Sequence, residues 1–302
     1  MIAFSLNGVG PQARIALSGL FLILILAPLE NLYADTSVSA DPQILKLGKL
    51  IFSDRRFSAS GETACSSCHR PEHGFSDRVP YSTKDDGQLT ELSTPALFNM
   101  KHKIGYFSQD PVFSLVAAVE RCMKTNQGVS VLDIFVTLKK DSTLSSISTA
   151  SFGRASAGAV FKSVAAYLET IQTSNSRYDR YMRGELIALT PAEQMGMVLF
   201  EQKGCVYCHT GKGMGGMVYI ESVDEDSLRE VQVPRLRNLS LSAPYFSDGS
   251  APTLADAIRR MSQKHNATAV TAQELEKIRL FLMSNESSIS DFEGPVRYEY
   301  ER

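Results

Sequence analysis

Apolar side chains recur every three or four residues along several stretches of the chain, most regularly at 157–171 and 271–283. This spacing places the apolar residues on one face and predicts amphipathic helices. Two further helices are predicted to start at Asp41 and Thr190, because each is a favourable capping residue that is followed by proline. The alternating pattern of half-buried strands is scarce, so the hydrophobic pattern predicts an all-α protein.

An apolar segment lies near the N-terminus, at 15–27, directly after Arg14. A short basic region, an apolar stretch and small residues up to Ala40 are typical of a secretory signal peptide, which we assign to residues 1–40. The apolar segment is shorter than the ~20 residues that span a bilayer, and an uncleaved anchor is the alternative. We therefore expect an exported, periplasmic protein.

Composition and charge limit the classes of protein to which the chain can belong. Its 302 residues correspond to about two domains at roughly 100–200 residues each. With 43% hydrophobic residues, the composition is that of a globular protein, which excludes collagen and extensive disorder. The 31 basic and 33 acidic residues leave a formal net charge of −2 without basic blocks, so no nucleic-acid partner is expected.

Four of the five cysteines fall into two C-x-x-C-H motifs. The first consists of Cys65, Cys68 and His69, and the second of Cys205, Cys208 and His209. This is the attachment signature of c-type heme, in which two thiols bond to the porphyrin and the histidine supplies an axial ligand to iron. A four-cysteine zinc site would not require histidine after both pairs, and a thioredoxin-like site would require βαβ patterning. We expect two covalently bound heme c groups, with His69 and His209 as proximal ligands.

The sequence around the first motif is repeated around the second. Each copy has a Gly-x-x-x-Phe segment before the cysteines, a Pro-x-Leu-x-Asn segment after them, and Tyr-Phe-Ser seven residues beyond that asparagine. These segments begin at Gly48, Pro95 and Tyr106 in the first copy and at Gly196, Pro234 and Tyr245 in the second. Agreement at so many fixed offsets predicts two tandem cytochrome c-like helical domains, each binding one heme, at 41–185 and 186–302.

The sixth ligand of each iron determines its chemistry, because an iron with two strong ligands transfers electrons whereas an open iron can bind peroxide. In each copy an apolar helix starts sixteen residues after the asparagine, at Leu115 and at Leu254. Seven residues further on lie Cys122 and Met261, respectively. Met261 is a candidate thioether ligand of the second heme, and Cys122 is a candidate ligand of the first. The alternative for both is ordinary core packing.

Several segments resemble the bacterial diheme cytochrome c peroxidase and MauG family, over almost all of residues 41–302. They are Leu-Gly-Lys-Leu-Ile-Phe-Ser-Asp-Arg-Arg-Phe-Ser at 47–58, Gly-Phe-Ser-Asp at 74–77, Phe-Gly-Arg at 152–154 and Pro-x-Leu-Arg-Asn at 234–238. The resemblance implies an N-terminal heme that reacts with peroxide and a C-terminal heme that transfers electrons. Met261 falls on the family's axial methionine, where MauG-type members carry tyrosine, and Cys122 falls on its distal-pocket proline.

The chain departs from this family at positions that serve the peroxide-reacting heme. The tryptophan-containing run between the hemes is replaced by Ser-Gln-Asp-Pro at 108–111, and the chain has no tryptophan. The family's distal glutamine falls on Ala118, and its distal glutamate falls on or near Gly128. Splitting peroxide requires a group that moves a proton between its two oxygens. Glu120 and Glu91 are the candidate catalytic substitutes, and solvated surface charges are the alternative.

The resemblance also implies a calcium ion between the domains. Here Leu92 and Ser93 replace the family's Arg-Asn pair, so the site would retain only backbone carbonyls, from Ser242 and Pro244. Arg237 is a candidate partner for a heme propionate, because arginine binds carboxylates through two parallel hydrogen bonds.

Three functions fit these residues. The leading one is an exported diheme oxidoreductase that reduces hydrogen peroxide with electrons from a small donor protein of the cytochrome c or cupredoxin type, with the second heme feeding the first. A variant of it is MauG-like oxidation of a partner protein. The alternative from another class is a non-enzymatic diheme electron carrier or redox sensor, which the missing Trp, Gln and Glu favour. Two chains could also associate as a homodimer.

Overall fold

A computed structural model describes residues 41–107, 110–224, 227–264, 269–291 and 293–297. The predicted signal peptide at 1–40 lies outside these described residues, as do Ser108 and Gln109 of the run that replaces the family's tryptophan segment. Within the described part of the chain, no helix is both long and apolar enough to cross a membrane.

Helices make up most of the regular structure. In chain order they are Pro42–Phe52 (α1), Cys65–Cys68 (α2), Leu115–Thr125 (α3), Val131–Lys140 (α4), Ser142–Phe152 (α5), Ala157–Thr170 (α6), Arg177–Met182 (α7), Pro191–Gln202 (α8), Leu254–Lys264 (α9) and Ala272–Met283 (α10). Single 3₁₀ turns occur at Arg55–Phe57, Pro71–His73, Met100–His102, Leu186–Ala188, Cys205–Tyr207 and Leu239–Leu241. The two most regular apolar stretches correspond to α6 and α10, which confirms the helix predictions. The predicted caps are also confirmed, because the side chains of Asp41 and Thr190 accept hydrogen bonds from first-turn backbone N–H groups.

Short strands accompany the helices. They are Gln172–Thr173 (β1), Tyr219–Asp224 (β2), Ser227–Gln232 (β3), Ile289–Asp291 (β4) and Gly294–Pro295 (β5). The strands β2 and β3 form an antiparallel hairpin, and β1, β4 and β5 form a small antiparallel sheet in that order. The all-α prediction therefore describes the helical architecture but misses these strands. Two- and three-residue strands leave no periodic signal, and β2 and β3 are rich in polar residues.

The same close helix crossing occurs in both halves of the chain. A Cβ atom on Gly48 of α1 would lie 1.9 Å from the carbonyl oxygen of Ser163 in α6. A Cβ atom on Gly196 of α8 would lie 1.9 Å from the carbonyl oxygen of Lys277 in α10. Only glycine lets two helix backbones approach this closely. The glycine that begins each copy of the sequence repeat therefore marks two equivalent helix pairs.

Two hydrophobic cores adjoin within the described residues, which form one compact unit. The larger core is built mainly by α1, α3, α4 and α6, and the smaller core by α8 and α10. Leu241 and Ile289, from the C-terminal half, are buried in the larger core. Lys49 of α1 also binds Asp291 of β4 at 2.8 Å. The halves are thus tied together, and the predicted domain boundary at 185/186 stays a prediction.

Candidate heme-attachment sites

The first C-x-x-C-H motif begins on the short helix α2, and His69 follows directly as its C-cap. The Nδ1 atom of His69 lies 3.1 Å from the carbonyl oxygen of Phe75, and the Pro95 carbonyl lies beside the same ring. Gly74 and Phe75 have left-handed φ angles of 70° and 62°, and this tight turn brings the Phe75 carbonyl back to the imidazole. A ring that donates from Nδ1 keeps its lone pair on Nε2, which is the atom that would bind iron.

The second motif has the same arrangement on a 3₁₀ turn. Cys205–Tyr207 form the turn, and the Nδ1 atom of His209 lies 3.1 Å from the carbonyl oxygen of Pro234. His209 is buried, with 9% of its surface exposed. Pro234 is the repeat counterpart of Pro95, so equivalent prolines lie beside both imidazoles. Both histidines are therefore oriented by backbone carbonyls, as metal-ligating histidines generally are.

The structure repeats around each motif as closely as the sequence does. Asn99 and Asn238 both have left-handed backbones, and each of the following tyrosines donates from its hydroxyl to a carbonyl six residues earlier. The φ angles of the two asparagines are 58° and 51°. The hydrogen bonds from Tyr106 and Tyr245 measure 3.3 and 3.0 Å. These tyrosines also form isolated antiparallel β-bridges, with Val112 and Ala251 respectively. The two motifs thus lie in equivalent local frameworks.

The donor set fits c-type heme better than zinc or a dithiol. All four motif thiols are free of disulfides. Within the described residues, no three His, Cys, Asp or Glu side chains converge in a way that could hold a metal ion, so the four cysteines do not form one zinc site. Burial also raises the pKa of Cys65 and of Cys205, whereas a reactive C-x-x-C pair has a lowered thiol pKa. Each pair with its histidine could therefore hold one heme through two thioether bonds and one axial nitrogen.

The helices that carry the candidate sixth ligands are also equivalent. Ser114 caps α3, and the Thr253 hydroxyl accepts from the Asp256 N–H at the start of α9. Cys122 of α3 interacts electrostatically with the first-motif thiols Cys65 and Cys68, and its sulfur lies 3.6 Å from the Nδ2 atom of Asn126. The structure therefore brings Cys122 to the first motif. Its predicted contact with iron stays a prediction.

Met261 occupies the corresponding position on α9. It is partly buried and lies seven residues after Leu254 and three after Ile258. Leu254 and Ile258 pack against the smaller core, as does Cys205. Helical spacing puts Met261 on the same face as Leu254 and Ile258. Met261 thus lies on the face of α9 that packs against the smaller core. Ligation of the iron by its sulfur stays a prediction.

The two candidate catalytic carboxylates lie at the surface. Glu91 is exposed. The Glu120 side chain is 38% exposed and accepts a hydrogen bond from the Lys124 ammonium at 2.6 Å. A buried polar group does lie beside the first motif: it is Gln127, whose side-chain oxygen is 3.8 Å from the Cys65 sulfur. The sequence comparison passed over this residue, although it is adjacent to Gly128, where the family's distal glutamate falls.

Arg237 is already engaged by a carboxylate. Its guanidinium donates to both oxygens of Asp179 in α7, at 3.0 and 2.6 Å, and its Nε donates to the Lys212 carbonyl. Burial raises the pKa of Asp179. The hydrogen bonds and charge of Arg237 outweigh this effect and hold that pKa below its usual value. The role of Arg237 as a propionate partner stays a prediction. Arg235, which the sequence interpretation did not single out, has no carboxylate partner among the described residues.

The region of the expected calcium site is bridged by direct hydrogen bonds. Ser93 donates from its backbone N–H to the Ser247 carbonyl at 2.7 Å and from its hydroxyl to the Phe246 carbonyl at 3.2 Å. These bonds join the segment before Pro95 to the segment after Pro244. The expected calcium ion stays a prediction.

Comparisons with known proteins agree with this geometry. A family model described as di-haem cytochrome c peroxidase matches residues 42–186. Cytochrome c551 peroxidase of Nitrosomonas europaea is 27% identical over 89% of this chain and 87% of its own length. Methylamine utilization protein MauG of Methylophilus methylotrophus is 22% identical over 78% of this chain and 76% of its own length.

A solved structure shares the fold. The crystal structure of a MauG-like protein associated with microbial copper homeostasis aligns with a TM-score of 0.73 at 22% identity, over 82% of this chain and 90% of that one. The two equivalent C-x-x-C-H sites agree with the family model and with the relatives, because all of them indicate a diheme protein of the cytochrome c peroxidase type. The N-terminal half of the chain thus matches the di-haem cytochrome c peroxidase family model, and most of the chain is similar to proteins named cytochrome c peroxidase and MauG.

Proposed function

We propose that the chain is an exported, periplasmic diheme c-type oxidoreductase that reduces hydrogen peroxide with electrons from a small cytochrome c or cupredoxin. Each hydrogen peroxide takes up two electrons and two protons as its O–O bond breaks, and two water molecules result. The observation that carries the proposal is the pair of equivalent motifs whose histidines are oriented by backbone carbonyls. The relatives named cytochrome c peroxidase and MauG support the same class of redox function.

The two sites would have different roles, and different residues would hold each heme. When bound, the hemes supply two redox-active irons that can store and pass one electron each. Cys65, Cys68 and His69 would hold the first heme, and Cys205, Cys208 and His209 the second. Met261 would close the second iron and make it the entry point for donor electrons, because two strong axial ligands favour electron transfer over peroxide binding.

Proton supply at the first site would differ from the family pattern. Gln127 occupies the buried position beside Cys65 and has no acidic proton to give. Glu120 and Glu91 remain the proposed acids, and their surface positions allow them to exchange protons with water. We expect peroxide cleavage by this chain to be slower than in relatives that keep a distal glutamate.

The position of Cys122 favours a second candidate function. Its thiol lies close enough to Cys65 and Cys68 for the ionised forms to repel each other, which adds to the effect of burial in raising the pKa of Cys122. A sulfur that bound the first iron would close it and turn the protein into a diheme electron carrier or a redox sensor. Displacement of that sulfur would restore the peroxidase.

A matched pair of substitutions tests the two sixth ligands. Met261→His should lower the reduction potential of the second heme, because a thioether favours ferrous iron more strongly than imidazole does. The near-infrared band of methionine-ligated heme should also disappear. Cys122→Ala should convert a closed first iron to high spin and accelerate its reaction with peroxide. Optical and EPR spectra of the two variants are the measurements.

Each half of that test has its own contrary outcome. An unchanged potential and an unchanged near-infrared band in Met261→His would assign the ligand elsewhere. The same spin state and the same peroxide kinetics in Cys122→Ala would make Cys122 an ordinary packing residue.

The proposed function itself is tested by turnover. Mature protein with both hemes should oxidise a reduced small cytochrome c or cupredoxin on addition of hydrogen peroxide, with two donor molecules oxidised per peroxide. A protein that exchanges electrons with the donor but leaves peroxide unchanged would be a carrier. Peroxide-dependent modification of a partner protein's side chain, with no donor oxidation, would indicate the MauG-like variant.

A further inference from the structure

Two cationic side chains meet where the two halves of the chain adjoin. The guanidinium of Arg235 donates to the carbonyl oxygens of Phe98 and, at 2.9 Å, of Ala96, and it stacks on the Phe98 ring at 5.4 Å from its centroid. Lys103 is close enough for its charge to be repelled by Arg235. Its ammonium group lies 5.6 Å from the centre of the Tyr106 ring. We call Lys103 and Arg235 the junction cation pair.

The junction cation pair has no carboxylate partner among the described residues. The pKa of Lys103 is lowered to about 7, first by burial and then by the charge of Arg235. Burial likewise lowers the pKa of Arg235 to about 10, with Tyr106 as the one group that opposes the shift. Glu169 lies close enough to Tyr106 to raise the pKa of that phenol, after burial, which has the larger effect. Lys103 and Arg235 are both partly buried, and an anion placed between them would offset the repulsion of their like charges.

The surroundings strengthen the positive potential. Lys101, Lys212, Arg235 and Arg237 all lower the pKa of His102, after burial, which has the largest effect. Of these cations, Arg237 is neutralised by Asp179. The junction therefore has an excess of positive charge within a protein of nearly neutral composition.

The junction cation pair also lies next to both candidate heme sites. Arg235 follows Pro234, whose carbonyl accepts from His209, and it hydrogen-bonds the carbonyl of Ala96. Ala96 follows Pro95, whose carbonyl lies beside His69. Arg235 and Ala96 are counterparts in the sequence repeat, so this contact joins equivalent positions of the two halves. Arg235 thus lies one residue from Pro234 beside His209 and contacts the residue after Pro95, which lies beside His69.

We infer that Lys103 and Arg235 bind a propionate carboxylate of one of the two hemes at the junction between the halves. The inference rests on the two-heme loading proposed above. Arg235 uses three of its five N–H donors, on the Ala96 and Phe98 carbonyls and on the Met100 sulfur, which leaves two donors for a carboxylate. The Lys103 ammonium has three donors and makes no hydrogen bond to the described residues, so it is available for the same anion.

This pairing would tune the heme as well as hold it. A positive charge beside a propionate stabilises the reduced heme, which carries one more electron, and so raises its reduction potential. The propionate would in turn keep Lys103 protonated above pH 7. The junction cation pair would thus help to set the direction of electron flow between the two hemes.

The test compares Lys103→Met with Lys101→Met in mature protein. Met keeps most of the length of the side chain and removes the charge, and Lys101 is an exposed lysine two residues away that serves as the matched control. At pH 8 Lys103→Met should lower the reduction potential of one heme by ~59 mV, which corresponds to a change of about tenfold in its one-electron reduction equilibrium. Arg235→Lys keeps the charge and should shift the potential less. Spectroelectrochemistry of both hemes is the measurement.

A second readout reports the contact directly. The propionate bending band in resonance Raman spectra should shift in Lys103→Met and stay in place in Lys101→Met. Repeating Lys103→Met in chains that retain only one motif, Cys65→Ser with Cys68→Ser or Cys205→Ser with Cys208→Ser, identifies which heme carries the propionate.

The outcomes separate this inference from the proposed function. A two-heme protein whose potentials and propionate bands do not respond to Lys103→Met would overturn the cation-pair assignment and leave the oxidoreductase proposal intact. A parent protein that pyridine hemochrome analysis finds without heme would overturn the two-heme loading, and the cation-pair assignment with it.

Discussion

Replacing Gly48 or Gly196 by alanine is expected to destabilise the protein by about 3 kcal/mol, enough to lower its melting temperature by roughly 10 °C. The added methyl carbon would lie 1.9 Å from a helix carbonyl oxygen in each case. Backbone cannot move aside as a flexible side chain can, so the helix pair must separate. Separation of α1 from α6 would expose Phe52, and separation of α8 from α10 would expose Phe200, both of which are buried.

Gly158→Ala is the matched control for these two substitutions. Gly158 also lies in a helix, α6, but a Cβ atom there meets nothing closer than 4.0 Å. Alanine at this position should leave stability unchanged or raise it by about 0.5–1 kcal/mol, because glycine is the poorer helix former. Thermal unfolding of the three heme-loaded variants is the measurement. Equal melting temperatures in all three would show that the helix crossings are looser than described.

Removing either pair of motif cysteines is expected to remove one covalent heme. Cys65→Ser with Cys68→Ser should leave the second heme, and Cys205→Ser with Cys208→Ser should leave the first, because serine cannot form the thioether bonds. Mass spectrometry of the mature chains should show one heme addition in each double variant and two in the parent.

Cys122→Ser is the control for heme loading. Cys122 lies outside both C-x-x-C-H motifs, so this variant should retain two heme additions even though its thiol is close to the first motif. Two hemes in a double variant, or zinc in place of heme in the parent, would contradict the attachment sites. Loss of a heme in Cys122→Ser would mean that Cys122 takes part in attachment.

The helices that position the two sites could be predicted because their periodicity and their capping residues are local features of the sequence. Helix periodicity predicted α6 and α10 within one residue of each observed end, and capping residues predicted the starts of α1 and α8. The repeat predicted that Gly48 and Gly196 are equivalent, although it did not say why both are glycine. That reason is a contact between helices distant in the chain, which periodicity does not encode.

The polar surroundings of the sites could not be predicted in the same way. The carbonyl of Phe75 that orients His69 depends on a left-handed turn, and the partners of Arg235 lie more than a hundred residues away. Arg237 follows a recognisable motif, yet the structure pairs it with Asp179. Glu120 was singled out for its acidity, and the helix α3 directs it to Lys124. Residue type indicates what a side chain can do, and its partner depends on the tertiary fold.

Anaerobic titration of the fully reduced protein with hydrogen peroxide tests the central claim most directly. The account predicts that one equivalent of peroxide reoxidises both hemes, because reduction of peroxide to two water molecules consumes two electrons and each heme supplies one. The optical spectrum should show both hemes ferric at that point, with no further change when a second equivalent of peroxide is added. A protein that carries two hemes but stays reduced after one equivalent would contradict the account and identify an electron carrier.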